Sequence, residues 1–236
     1  MNSKYKRILI KLSGEAIGKE DGRGIDSEKL EKVVNQIVEI SKGGTEVALV
    51  IGAGNFWRGK YGAEYMERTT SDYMGMLATT LNALAIQDMI ESKGLYTRVM
   101  TAIEMRQIAE LYIRRKAVRH LEKGRIVIFA CGTGSPYFTT DSAAALRAIE
   151  IDAEVILLAK NIDGVYNKDP KKYEDAVKYD RITFMQAISE KLAVMDTTAL
   201  TLCMENNIPI QVFALNDENS IKRVLNGENI GTVVEN

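Results

Sequence analysis

The 236 residues are 46% hydrophobic and 27% charged, with a formal net charge of −1. That is an ordinary globular balance with no overall pull toward nucleic acid or an anionic membrane. Cys131 and Cys203 form no CxxC pair, which excludes a disulfide scaffold or zinc ribbon, and the opening MNSKYKRILIKLSGEAI has too short an apolar run for a signal sequence or membrane span. A cytoplasmic protein is the default expectation. The length suits one large domain or two small ones.

In chain order, RILIKL at 7–12 predicts a strand. The stretch from Asp26 predicts a helix capped by Asp26 or Ser27, with Leu30, Val33, Val34, Ile37 and Val38 recurring on one side and Gly43-Gly44 as the stop. EVALVIG at 46–52 is a second strand. A long helix over about 70–92 carries Met74, Leu77, Ala78, Leu81, Leu84, Ala85 and Met89 on its apolar side, as core or subunit interface. Strands follow at 97–101 and 125–130. His120, the single histidine, lies in the charged stretch RRKAVRHLEKG and reads as a solvated helix residue. An Ala-rich helix spans 141–151. EVILLA at 154–159 is a near-continuous apolar run, as in a strand covered on both faces. Then come a helix near 197–206, a strand at 209–214, a helix near 217–226 and a short strand near 231–234. This alternation predicts an α/β fold, a three-layer α/β/α sandwich with a largely parallel sheet. Ligands then belong beyond the carboxyl ends of the strands.

Four loops at that edge are rich in glycine and small polar residues. They are Lys11-Leu12-Ser13-Gly14, the stretch Gly52-Ala53-Gly54-Asn55-Phe56-Trp57-Arg58-Gly59, residues 132–141, and residues 160–170. Glycine lets backbone N–H groups approach phosphate oxygens, and a helix start behind such a loop adds positive potential. The third loop runs into a helix that Thr139 or Thr140 can cap. Lys11 and Arg58 add cations, and phosphoryl transfer mainly needs charge stabilisation and alignment. Standard fingerprints fail: Trp57 and Tyr137 occupy the third glycine position of GxGxxG, and Tyr61 follows Gly59-Lys60 where a P-loop needs Ser or Thr.

Taken together, KLSGEA at 11–16, VIGAGNFWRG at 50–59, SDYMGMLAT at 71–79, GTGSPYFTTDSAA at 132–144, DGVYNKDP at 163–170 and VMDTTA at 194–199 resemble the bacterial UMP kinases of the amino acid kinase superfamily. The resemblance covers about residues 5–234. It implies a single domain over 1–236, its N-terminal part mainly the UMP site and its C-terminal part mainly the ATP site. It implies transfer of the γ-phosphoryl group of Mg-ATP to UMP, within pyrimidine nucleotide biosynthesis. Lys11, Leu12, Ser13, Gly14, Gly54, Arg58, Asn161, Tyr166 and Asp169 match the ATP side. Ala53, Asp72, Thr133, Gly134, Ser135, Pro136, Tyr137, Phe138, Thr139 and Thr140 match the UMP side. Lys11, Arg58 and Asp141 match the catalytic set, and Asp141 could also be only a helix cap. The resemblance further implies Mg2+ with ATP, a homohexamer, activation by GTP through Lys19, Glu20, Asp21, Gly22, Arg23 and Gly24, and inhibition by UTP. Whether Lys160 or Asn161 touches ATP stays open, as does whether Asp196 starts a helix or joins the nucleotide site. Ala53 stands where many relatives carry glycine, so a negative φ is expected there. Two rival readings are a superfamily kinase acting on an amino acid or carbamate, and a nucleotide-sensing regulator without turnover.

Overall fold

The computed structural model describes residues 3–57, 66–215 and 219–236. Arg58 lies outside the described residues. Among the described residues nine strands form one sheet: β1 (Arg7–Leu12), β2 (Glu46–Ile51), β3 (Thr97–Thr101), β4 (Glu110–Leu111), β5 (Ile126–Ala130), β6 (Val155–Lys160), β9 (Arg181–Thr183), β10 (Ile210–Ala214) and β11 (Thr232–Glu235). Their order across the sheet is β4-β3-β5-β2-β1-β6-β10-β11-β9. Every neighbouring pair is parallel except β10–β11. A separate antiparallel hairpin pairs β7 (Val165–Tyr166) with β8 (Lys178–Tyr179).

Alternation along the central strands sorts two cores. Ile8, Ile10 and Leu12 of β1 join Leu157 and Ala159 of β6 in one cluster, under α1 (Ser27–Lys42), α2 (Arg68–Ser92) and α7 (Ser220–Leu225). Leu9 of β1 joins Ile156 and Leu158 of β6 in the other. That face is covered by α3 (Arg114–Glu122), α4 (Thr140–Glu150), α5 (Phe184–Ser189) and α6 (Thr197–Glu205). These central strands are covered on both faces, which is why their runs read as continuously apolar. The α1 helix starts where Asp26 accepts from the N–H groups of Glu28 and Lys29, and stops before Gly44, whose φ is +96°. It buries Leu30, Val33, Val34, Ile37 and Val38 as its spacing predicts, with Ile40 in addition.

Two expectations need correction. The apolar side assigned to α2 divides between two environments. Leu84, Ala85 and Met89 pack on the core with Ala83, Ile86 and Ile90, whereas Met74, Leu77 and Leu81 face outward at 36%, 50% and 52% exposure. A helix apolar on opposite sides has no single periodic stripe, so spacing alone does not choose the buried one. His120 is not a solvated residue. Its Nε2 lies 3.3 Å from Glu110 Oε2 and its Nδ1 is 2.9 Å from the Arg125 guanidinium. The two-residue strand β4 that supplies Glu110 has no sequence signal.

Because β1, β2, β5, β6 and β10 run parallel, their carboxyl ends share one edge. There β1 leads outward to β2 and β5 on one side and to β6 and β10 on the other. This change of winding direction opens a crevice at the end of β1.

Candidate active site

Side-chain alternation decides which groups meet in that crevice. Lys11 pairs in register with Leu158 of β6, so it points to the same face as Leu9, where α4 begins. Its Nζ lies 2.7 Å from Asp141 Oδ1, with side-chain exposures of 14% and 22%. The approach lacks hydrogen-bond directionality, and that buried oxygen has no hydrogen-bond partner among the described residues. Thr139 caps α4, its Oγ1 accepting from the N–H groups of Asp141 and Ser142 at 3.0 and 3.2 Å. Asp141 therefore occupies the first turn without being the cap, and its carboxylate is free to face Lys11.

Asp196 plays two structural parts. Its Oδ1 caps α6 by accepting from Ala199 N–H at 2.9 Å. Its carboxylate also accepts from Thr139 Oγ1 and, at 3.2 Å, from Ser142 Oγ. The start of α6 is thereby tied to the start of α4.

A cavity of about 400 Å³ opens beyond β1, β2 and β5. The turn after β1 lines it with Lys11, Ser13, Gly14 and Glu15, the second loop with Gly52, Ala53, Gly54 and Trp57, the third with Gly132, Thr133, Phe138, Thr139 and Thr140. Helix α2 closes it with Arg68, Ser71, Asp72, Gly75, Met76 and Thr79. The first two loops lie against each other. A Cβ on Gly14 would sit 2.4 Å from Asn55 Oδ1 and 2.7 Å from Gly54 N, so only glycine fits. Ala53 keeps a negative φ, as expected.

The third loop is held in a conformation that side chains rarely adopt. Cys131 and Tyr137 have φ of 62° and 72°, a state that costs of order 1–3 kcal/mol per non-glycine residue unless its surroundings enforce it. Helix α2 does so. Cys131 N–H donates to Thr79 Oγ1 at 2.8 Å, and Tyr137 N–H donates to Asp72 Oδ2 at 2.8 Å. Arg68 Nε also donates to the Asp72 carboxylate at 2.9 Å, and its guanidinium lies 5.4 Å from the Tyr137 ring centroid.

A second cavity of about 780 Å³ opens on the β6–β10 side, lined by Glu15, Ala16, Lys29, Lys32, Val33, Asn35, Gln36, Glu39, Asn161, Leu215 and Asn219. The two cavities share Glu15 on the turn after β1. At the end of β6, Lys160 turns away from this cavity and donates to Ala193 O and Val194 O at 2.7 and 2.5 Å. Burial holds the Lys160 ammonium down to about 8, with Asp141 pulling it upward and Lys11 pushing it lower.

Of the residues expected on the UMP side, Ala53, Asp72, Thr133, Phe138, Thr139 and Thr140 line the first cavity. Gly134, Ser135, Pro136 and Tyr137 complete the loop outside its lining. Of those expected on the ATP side, Lys11, Ser13, Gly14 and Gly54 line the first cavity and Asn161 the second. Leu12 buries its side chain in the core, and its carbonyl accepts from Gly52 N–H at 2.9 Å. Tyr166 and Asp169 line neither cavity. Tyr166 Oη donates to Asp163 at 2.8 Å, and Asp169 Oδ1 accepts from Lys171 N–H in a turn. The 19–24 loop is attached to the second loop, with Gly24 N–H donating to Asn55 O at 2.8 Å and Asn55 Nδ2 to Gly24 O at 2.9 Å. Sequence reasoning missed Arg68, which precedes the SDYMGMLAT stretch and carries no motif of its own. Its only sequence signal is the i,i+4 spacing to Asp72.

A model described as the amino acid kinase family matches residues 6–214. The chain superposes on UMP kinase from Bacillus anthracis with a TM-score of 0.95 at 40% identity, covering 98% of this chain and 96% of that one. For UMP kinase from Ureaplasma parvum the TM-score is 0.93 at 41% identity, covering 99% and 100%. For uridylate kinase from Archaeoglobus fulgidus it is 0.73 at 29% identity, covering 96% and 99%.

Proposed function

The chain belongs to the amino acid kinase family, and from that premise we propose that it is a UMP kinase, transferring the γ-phosphoryl group of Mg-ATP to UMP to give UDP and ADP. One observation carries the reading. Two cavities meet at the turn after β1, and the Lys11–Asp141 pair stands beside their boundary. The cavity on the β2–β5 side takes UMP and the one on the β6–β10 side takes ATP, so both sites belong to one continuous domain.

The acceptor is a phosphate oxygen that is already anionic, so transfer needs no protein base. The oxygen attacks the γ-phosphorus in line, the bond to the β–γ bridging oxygen breaks, and ADP leaves with that electron pair. Lys11 supplies positive charge where it gathers on the transferring group, while Asp141 fixes the ammonium's position. Backbone N–H groups of the closely packed first and second loops line the same path. Magnesium enters as part of the Mg-ATP substrate, held by phosphates and water. Arg58, outside the described residues, completes the cationic set in this proposal.

The exposed Tyr73, Met74, Leu77 and Leu81 on α2 support a homo-oligomer, proposed as a hexamer. The link from the 19–24 loop through Asn55 to the second loop supports the proposed GTP response. UTP inhibition and a cytoplasmic place in pyrimidine nucleotide synthesis belong to the same reading. No helix among the described residues is long and apolar enough to cross a membrane.

The test is ADP release from Mg-ATP with UMP, CMP, dUMP, acetylglutamate, aspartate and carbamate as acceptors. Turnover should be confined to UMP or far faster with it. Faster turnover with an amino acid or carbamate would overturn the uridine assignment of residues 133–140, and silence with every acceptor would favour the regulator.

A further inference from the structure

We infer that Lys160 is a positioning residue: its ammonium clamps residues 193–194, and through Asp196 and Thr139 fixes where the Lys11–Asp141 pair stands. The inference rests on the kinase reading above and adds a residue which that reading does not use.

The register places it. Residues 156, 158 and 160 of β6 face the same side as Leu9 and Lys11 of β1, so two lysines stand at adjacent strand ends over the start of α4. Lys11 reaches Asp141, whereas Lys160 reaches past it to the carbonyls of Ala193 and Val194, at 2.7 and 2.5 Å. Two residues further on, Asp196 accepts from Thr139 Oγ1 and Ser142 Oγ. Thr139 caps α4, and Asp141 is in that helix's first turn. An unbroken chain of contacts therefore runs from the end of β6, beside the second cavity, to the third loop of the first cavity.

Neither end of the chain can shift alone. If Lys160 released the two carbonyls, the segment before α6 would lose the contact that orients Asp196, and the α4 cap would lose its partner. The charged groups facing Lys160 are Lys11 from β1 and Asp141 from α4. With Lys160 neutral, Asp141 faces the Lys11 ammonium alone, which alters the charge beside the transferring group. The protonated form of Lys160 is the active one. Its value near 8 puts its loss of charge within the range of an ordinary assay.

The experiment compares wild type, Lys160→Met and Lys160→Arg in UMP phosphorylation from pH 6 to 10, reading kcat and KM for UMP and ATP separately, with melting temperatures alongside. Lys160→Met should lower kcat by about 10²-fold, the scale for misplaced catalytic groups, with KM for UMP little changed, because the pair acts on the transition state. Wild-type kcat should fall as pH rises through about 8. Lys160→Arg, which does not titrate there, should lack that limb, and Lys160→Met should be low and flat. A folded Lys160→Met with wild-type kcat would overturn the inference. So would an alkaline limb unchanged in both variants. Wild type active on UMP beside an unimpaired Lys160→Met refutes this inference alone, whereas wild type inactive on UMP refutes the kinase reading on which it rests.

Discussion

Lys11 ends a buried strand, yet its side chain contributes a charge and little packing. Lys11→Ala should therefore lower kcat by about 10²-fold or more, the loss typical of removing one preorganised electrostatic group, while the melting temperature stays close to that of wild type. Retention of most turnover would remove Lys11 from the mechanism. Gly14 is constrained by space. An added methyl meets Asn55 Oδ1 at 2.4 Å, Gly54 N at 2.7 Å and Gly52 O at 2.8 Å, and two of these are backbone atoms that cannot swing aside. Gly14→Ala should cost about 1–3 kcal/mol, as overpacking does, and abolish turnover by separating the two loops. Chemical denaturation with an activity assay reads both. Lys160 has a signature in stability as well. Its folded value near 8 lies below the usual 10.5, so the unfolded chain binds more protons between those values. Stability then gains an increment as pH rises through that window, and Lys160→Met should lose that increment. Activity is expected to fall in the same window, so the two measurements separate folding from function.

At the scale of elements, α2 and α6 organise the site through polar side chains whose spacing carries no hydrophobic signal. Asn82 on α2 is fully buried. It exchanges hydrogen bonds with Asn55 at 3.0 and 2.8 Å and donates to Gly52 O at 2.8 Å. Asn82→Ala leaves the Asn55 amide and a loop carbonyl short of partners, which should destabilise by about 1–3 kcal/mol. The urea midpoint checks this. Asp196 caps α6 and secures the cap of α4, so Asp196→Ala should lose more than the ~1 kcal/mol of one cap. A double-mutant cycle with Thr139→Ala isolates the part that links the helices. The motif around Asp141 was legible because glycine, threonine and aspartate before an Ala-rich helix read as a phosphate loop and a cap, and the cap is made by Thr139. The hold that α2 keeps on that loop was not. It depends on Asp72 and Thr79 being one helix face away from Tyr137 and Cys131, and only the crossing of α2 over the sheet edge brings them together.

For the whole molecule, α2 carries the face proposed above as the subunit interface. Its core-facing residues are buried, yet Tyr73, Met74, Leu77 and Leu81 remain exposed along its outer side. Leu77→Glu with Leu81→Glu should shift the protein to a smaller species in light scattering while each subunit stays folded. Met185→Glu, at an equally exposed apolar position on α5, should leave the assembly unchanged. An unaltered mass in the α2 variant would remove this face from the proposed interface.

The sequence by itself determined the alternation of strands and helices, the doubly covered parallel sheet and the glycine-rich loops at its edge. Each of these is a local pattern of period, cap or turn residue, written in consecutive positions. The tertiary structure decided the rest. The sheet order set the second and third loops on one side of β1 and the fourth on the other, and so made two cavities. Strand register turned Lys11 and Lys160 to one face, where Asp141 meets the first and the carbonyls of 193 and 194 meet the second. Arg68, Asn82 and Asp196 acquired partners from distant segments. Such pairings depend on where whole elements cross, and no short-range pattern of residues encodes that crossing.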